Sequence, residues 1–332
     1  MALIDRLDHN GTLRDEYRNT LRSLARKLTA GRCLLFLGAG ASIDDEQPDL
    51  PTANELSDSL LKECELEWPE SVPLSQSAFY YESMFDRDDL NQKLVEIINN
   101  KNINPSKSIV RLMDIIELLE QRKIETIAVT TNYDQHFETA YEVKFSGRKP
   151  AVIIYRGGRN PQEANVNLNV SLDPSAPEID PVSWHPDCLT TLYKIHGCIS
   201  QPEQHGLVIT EEDYINFLMN ALASPDSRKK ILGRVKALME QSTILFVGYS
   251  LSDWNFRAIF KATAESRVNN DYKSYAVQRR DPRKAGTKTD EAFWKAMSDF
   301  WAKKNVQILN AQASDFMKDL FDAMPKTREA AA

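Results

Sequence analysis

Residues 32–42, RCLLFLGAGAS, constrain this chain most, because an apolar run meets a run of small residues with nothing between them. Four of the five residues at 33–37 are large and apolar, too short a run for a helix and right for a strand buried on both faces. Gly38, Ala39, Gly40, Ala41 and Ser42 follow at once. Small residues at a strand's carboxyl end let backbone N–H groups approach a phosphate, and a helix beginning there favours the negative charge. Ile43 stands where the usual dinucleotide fingerprint would place a third glycine. A tight strand-to-helix turn that needs small residues only for geometry reads the same way.

Other strand and helix patterns extend this opening. Leu13, Tyr17, Leu21, Leu24 and Leu28 recur at helical spacing over residues 13–29, and Gly31 closes that helix. Thr52 and Glu55 have capping-box spacing ahead of Leu56, Leu60 and Leu61. Residues 68–122 read as helices near 76–86, 88–100 and 105–121, uninterrupted by a strand. Strands are expected at 124–130, 151–155, 192–197, 207–210, 242–250, 274–278 and 306–310, with helices at 211–219, 253–265 and 290–303. Residues 160–186 are rich in Pro, Asn, Ser and Asp and read as a long loop. Alternation of this kind implies an α/β fold: a Rossmann-like, mostly parallel sheet with helices on both faces and an inserted helical module. One domain over 1–332 is expected, with its core at about 30–64, 124–155 and 190–310, the module at 65–122 and the long loop at 156–190.

The net charge of −7 excludes a surface built as a whole to attract nucleic acid. Five basic residues at 278–288 read as a solvated loop, so any nucleic-acid contact would be weak or indirect. No run of about 18 apolar residues spans a membrane. The first ten residues carry charges where a signal peptide is apolar, so a cytoplasmic location is expected. Cysteines occur at 33, 64, 188 and 198 without a C-x-x-C pair. His185, Cys188, His196 and Cys198 match no common structural zinc spacing, so no metal is expected.

Ligands of open parallel sheets bind beyond the carboxyl ends of the strands. Four expected strands end in polar or glycine signatures: residues 38–42, Thr130-Thr131-Asn132-Tyr133-Asp134, His196-Gly197, and Gly248-Tyr249-Ser250. Each alone is explained by a turn, a cap or a satisfied strand-end histidine. Together they converge on one edge of one sheet.

This set resembles the sirtuin superfamily, whose motifs have the forms G-A-G-x-S, T-Q-N-x-D, H-G and G-T-S, in the same order over roughly residues 30–280. Threonine 131 replaces the glutamine of the second motif. The resemblance is closest to sirtuin-like domains of bacterial antiphage systems, which show T-x-x-D-Y, here Thr210 to Tyr214, and G-Y-S-x-x-D, here Gly248 to Asp253. It implies NAD as the substrate. Gly38, Ala39, Gly40 and Ser42 would hold its pyrophosphate, and Gly248, Ser250 and Asp253 would line the adenosine side. Thr131, Asn132 and Asp134 would approach the nicotinamide ribose, and His196 would act as general base, making Asn132, Asp134 and His196 the catalytic set. Sirtuin deacylases carry a zinc ribbon of two C-x-x-C pairs, which this chain lacks. The implied activity is therefore an NAD glycohydrolase that depletes NAD in abortive infection. The alternatives are an NAD or ADP-ribose sensor without turnover and an NAD-dependent protein deacylase. The resemblance also implies a homo-oligomer and a sensing partner such as a HerA-type translocase ATPase or an Argonaute-type protein.

Overall fold

A computed structural model describes residues 3–8, 10–43, 50–65, 71–98, 104–155, 167–169, 189–200, 206–222, 231–249, 251, 257, 260–261, 272–281 and 284–325. Among these residues, one sheet runs in the order β1 (Ile4–Asp5), β9 (Val306–Asn310), β8 (Ser274–Gln278), β7 (Thr243–Val247), β2 (Cys33–Leu37), β3 (Thr126–Thr130), β6 (Thr190–Lys194), β4 (Ala151–Ile154) and β5 (Asn167–Asn169). Each neighbouring pair is parallel except β4 with β5. The central strand β2 has β3 on one side and the much later β7 on the other. The strand order therefore reverses at β2, which opens a crevice at its carboxyl end.

Side-chain alternation divides β2 between two cores. Leu35 and Leu37 pack with α1 (Asp15–Thr29), α6 (Lys107–Gln121), α7 (His136–Lys144) and α11 (Ala313–Asp322). Leu34 and Phe36 face the opposite layer, where Phe217 of α8 (Glu211–Leu222), Val235 and Met239 of α9 (Ile231–Gln241), and Trp301 of α10 (Lys288–Ala302) are buried. Each fully buried side chain of this size contributes about 1.5–3 kcal/mol, so a strand apolar on both faces is held in the middle of the sheet.

A third core lies outside the sheet. Leu56 and Leu60 of α3 (Ala53–Glu63), Ala78 and Tyr81 of α4 (Leu74–Met84), and Leu90 and Leu94 of α5 (Arg87–Ile98) pack with Ile199, Leu207 and Ile209. The α3 start has the complete capping box, with Thr52 Oγ1 accepting from Glu55 N–H and Glu55 accepting from Thr52 N–H. The apolar stripe of α6, in contrast, faces the sheet.

The structure differs from the sequence reading in places. Residues 207–210 are not a strand: the N–H groups of Ile209 and Thr210 donate to Asp213 Oδ2, which removes them from any ladder. Beyond that reading lie β1 at the sheet edge and the helices α7, α9 and α11. The short β5 lies inside the expected loop 160–186, whose other residues are outside the described ones, as is most of the expected helix 253–265.

Candidate functional site

Backbone hydrogen bonds fasten the loop after β2 to the end of β7 and to the residue that follows it. Gly38 N–H donates to Val247 O (3.0 Å), Gly40 N–H to Gly248 O (2.8 Å) and Ala41 N–H to Gly38 O (2.9 Å). Gly248 has φ +66°, and a Cβ there would lie 2.0 Å from the Ala41 nitrogen. A Cβ on Gly38 would meet Gly248 O at 2.6 Å. The small residues thus serve a close backbone approach between two strand ends, and the N–H groups of Gly38, Gly40 and Ala41 all have protein acceptors. Helix α2 (Ala39–Ser42) is a single turn, and its Ala41 carbonyl accepts from Ser106 Oγ (2.5 Å) and Ser108 Oγ (2.6 Å) at the start of α6.

Asn132 is the third tie on this loop. Its Nδ2 donates to Gly38 O (3.0 Å) and Ser42 Oγ (2.9 Å), while its own N–H donates to Thr130 Oγ1 (3.0 Å). Both amide protons are therefore used, and the carboxamide is fixed. Its Oδ1 is buried without a hydrogen-bond partner among the described residues. An orphaned buried acceptor costs about 1–3 kcal/mol, which a donor on a bound molecule would recover.

A cavity of about 340 Å³ opens beside it, lined by Ala39, Gly40, Ser42, Thr131, Asn132, Asp134, His196 and Gly248, with Leu50, Leu56, Leu74 and Ile98 from the α3–α5 side. Asp134 Oδ1 accepts from His136 N–H (2.9 Å), which fixes the start of α7. Gly38 stands behind the lining, as the carbonyl that holds Asn132. Ser250 and Asp253 lie outside the described residues.

His196 is buried, its ring edge-to-face with Tyr214 (5.4 Å between centroids) and Phe217 (5.0 Å). Burial pushes the imidazole down to about 3, against the opposing pull of the Asp213 charge. It is therefore neutral at pH 7 and presents a lone pair rather than a charge. Two residues upstream, the buried Lys194 keeps its proton. Burial alone would lower its affinity, but Cys198, Glu138 and Asp134 raise it further, and Nζ donates to Asp134 O and Glu138 Oε1 (3.0 Å).

A second cavity of about 300 Å³ lies across the Gly40–Gly248 contact, lined by Ser108, Tyr249, Gln278, Arg279, Gln312 and Ser314 among others. Gly40, Ile43, Gly248 and Tyr249 line both. Tyr133, Tyr214 and Tyr249 belong to the site although the motifs did not mark them as functional. The T-x-x-D-Y run held the signal for Tyr214, and N-x-D framed Tyr133. Among the described residues, no group of three or more His, Cys, Asp or Glu could hold a metal ion. Cys198 lines a different cavity from His196, with Glu138 and Glu142, and His185 and Cys188 lie outside the described residues.

A mostly parallel α/β sheet with a polar crevice at the reversal of its strand order defines the class: a Rossmann-like fold with its crevice at the switch point. The SIR2-like domain family matches residues 126–309, more than half of the chain, and the chain belongs to that family. A solved structure described as "Structural Basis for the Mechanism and Regulation of Sir2 Enzymes" matches with TM-score 0.46 and 14% identity, over 94% of this chain and 97% of that one. No curated protein matches. No helix among the described residues is long and apolar enough to cross a membrane.

Proposed function

We propose that this chain is an NAD glycohydrolase that cleaves NAD with water to nicotinamide and ADP-ribose, releasing one proton. The observation that carries the reading is the convergence of Asn132, Asp134 and His196 on one cavity at the switch point, joined through the Gly40–Gly248 contact to a second cavity. Two adjoining spaces of this size suit the two halves of a dinucleotide. The orphaned Asn132 Oδ1 supports the fit, since a water or a ribose hydroxyl would supply the missing donor.

Leaving nicotinamide creates oxocarbenium-like charge at the ribose carbon, as in other glycoside cleavages. Fixed acceptors aimed at that carbon stabilise the charge without reorganising. Asn132 Oδ1 would orient the attacking water, and its locked carboxamide makes that orientation fixed. Asp134 would place negative charge near the ribose. Neutral His196 would accept a proton from a ribose hydroxyl or from the water. The absence of C-x-x-C pairs from the sequence favours water over an acyl-lysine as the acceptor. Depletion of NAD in antiphage defence, with activation by self-assembly or by a sensing partner, extends the same proposal. A sensor that binds NAD without turnover is favoured by one observation: an imidazole held near 3 is a weak base for neutral pH.

Incubation with NAD and chromatography of nicotinamide and ADP-ribose tests this. Wild type should release both products in equal amounts. His196→Ala should lower the rate by about 10²–10⁴-fold, the usual range for a lost acid–base group. A full-rate His196→Ala or Asn132→Ala protein overturns the assignment, and binding without release, in every assembly state, favours the sensor.

A further inference from the structure

One arginine of the α3–α5 module reaches the segment that surrounds His196. Arg87, the first residue of α5, pairs through Nη1 with Asp213 Oδ2 (2.8 Å), and its Nη2 donates to Leu207 O. The same Asp213 oxygen accepts from the N–H groups of Ile209 (3.1 Å) and Thr210 (3.0 Å), while Asp213 N–H donates to Thr210 Oγ1 (3.2 Å). This is a reciprocal cap at the start of α8, which explains the T-x-x-D spacing physically. The next residue, Tyr214, is the ring set edge-on to His196. On the other side, Val208 N–H donates to His196 O (3.0 Å) and Val208 O accepts from Tyr133 OH (2.7 Å). The imidazole is thus bracketed by residues 208–214, whose shape depends on one carboxylate. Among the described residues, the titratable and charged groups around it are Asp213 and Tyr214 from α8, Tyr133 and Asp134 after β3, and Arg87 from α5, which stands behind Asp213 and also pairs with Glu82 of α4 (3.4 Å).

We propose that Arg87 and Asp213 form a positioning pair for His196, which makes the α3–α5 module part of the reacting site. The pair acts through two routes: the cap holds Tyr214 against the ring, and the arginine sets how much of the Asp213 charge the ring feels. The inference rests on the reading of His196 as the group that accepts the proton.

The test uses the full chain with ¹⁵N-labelled histidine, the His196 signal being assigned by its loss in His196→Gln. Asp213→Asn keeps a cap acceptor but removes the charge, and Arg87→Gln leaves the carboxylate without its cation. Both should move the His196 ring resonances at pH 7, and Arg87→Gln should raise the ring's titration midpoint. Both should lower kcat for nicotinamide release about tenfold, as loss of an outer partner commonly does, with KM for NAD held within about twofold. Arg87→Lys, which keeps the charge, should recover most of the rate. If Arg87→Gln fails to fold, the cap-preserving Asp213→Asn decides alone. His196 resonances unchanged from wild type in the folded variants overturn the pair. No nicotinamide release even from wild type counts against the glycohydrolase reading, and the resonances then still decide the pair.

Discussion

The two cavities on either side of the Gly40–Gly248 contact share four lining residues and differ in almost everything else. The one beyond β2, β3 and β6 holds a histidine, a carboxylate and an orphaned amide oxygen, backed by the apolar wall of α3–α5. The one beyond β7, β8 and β9 is lined by carboxamides, serines and one arginine, with no carboxylate among its described lining residues. The first has groups able to move or orient a proton; the second has groups able only to hold a ligand. On the proposed function, one sheet edge thus separates chemistry from recognition. The division lies at a backbone contact rather than at a side chain.

The largest test of that comparison is to disturb the shared wall. Gly248→Ala places a Cβ against the Ala41 nitrogen at a position with φ +66°. Left-handed strain and overpacking together should destabilise the fold by about 2–5 kcal/mol. Denaturant midpoints would show this, and ligand affinity should fall for both cavities together. An alanine variant of unaltered stability would mean that the two loops part easily, and the division would then be one of side chains only.

A second test separates the cavities by pH. His196 has its folded pKa depressed to about 3 from an ordinary value of 6.5. A group depressed in this way binds its proton first in the unfolded chain. Its contribution is therefore fully present above pH 6.5 and is lost as pH falls from there towards 3, at no more than about 1.4 kcal/mol per pH unit. His196→Gln should flatten that part of the stability curve. Substitutions in the second cavity, such as Arg279→Gln, should leave it in place. A wild-type curve and a His196→Gln curve of equal slope would remove the claim that a neutral, desolvated imidazole marks the reacting side.

Much of the frame behind this comparison was legible in the sequence. The strands at 33–37, 126–130, 243–247, 274–278 and 306–310 announced themselves because two buried faces demand continuous apolar runs. The capping box at Thr52 was legible because its partners are local. The meeting of Asn132 with His196 was suggested by strand-end signatures, since parallel topology brings such ends to one edge. The role of the glycines was not. A small residue that admits a phosphate and one that admits another backbone look alike, and only the contact with Gly248 separates them. Residues 207–210 misled for a related reason: an apolar run reads as a strand unless one knows that a carboxylate six residues after Leu207 takes its amides. The Arg87–Asp213 pair joins positions 126 residues apart, and no periodicity carries such information.

The smallest effect belongs to Arg279, and it sharpens the contrast best. Arg279 is exposed at the end of β8, where solvent and salt screen its charge. A contact from such a position to an anionic ligand is worth about 0.2–1 kcal/mol. Arg279→Gln should therefore weaken NAD binding by roughly 1.4-fold to fivefold at low salt, and the difference should vanish as salt rises. Its kcat should equal wild type, because the residue lines only the cavity that lacks proton-moving groups. Calorimetric titration of wild type and variant at two salt concentrations, beside nicotinamide release at saturating NAD, measures both quantities. A fall in kcat without a change in affinity would place Arg279 on the reacting side, and the separation of chemistry from recognition across the Gly40–Gly248 contact would fail.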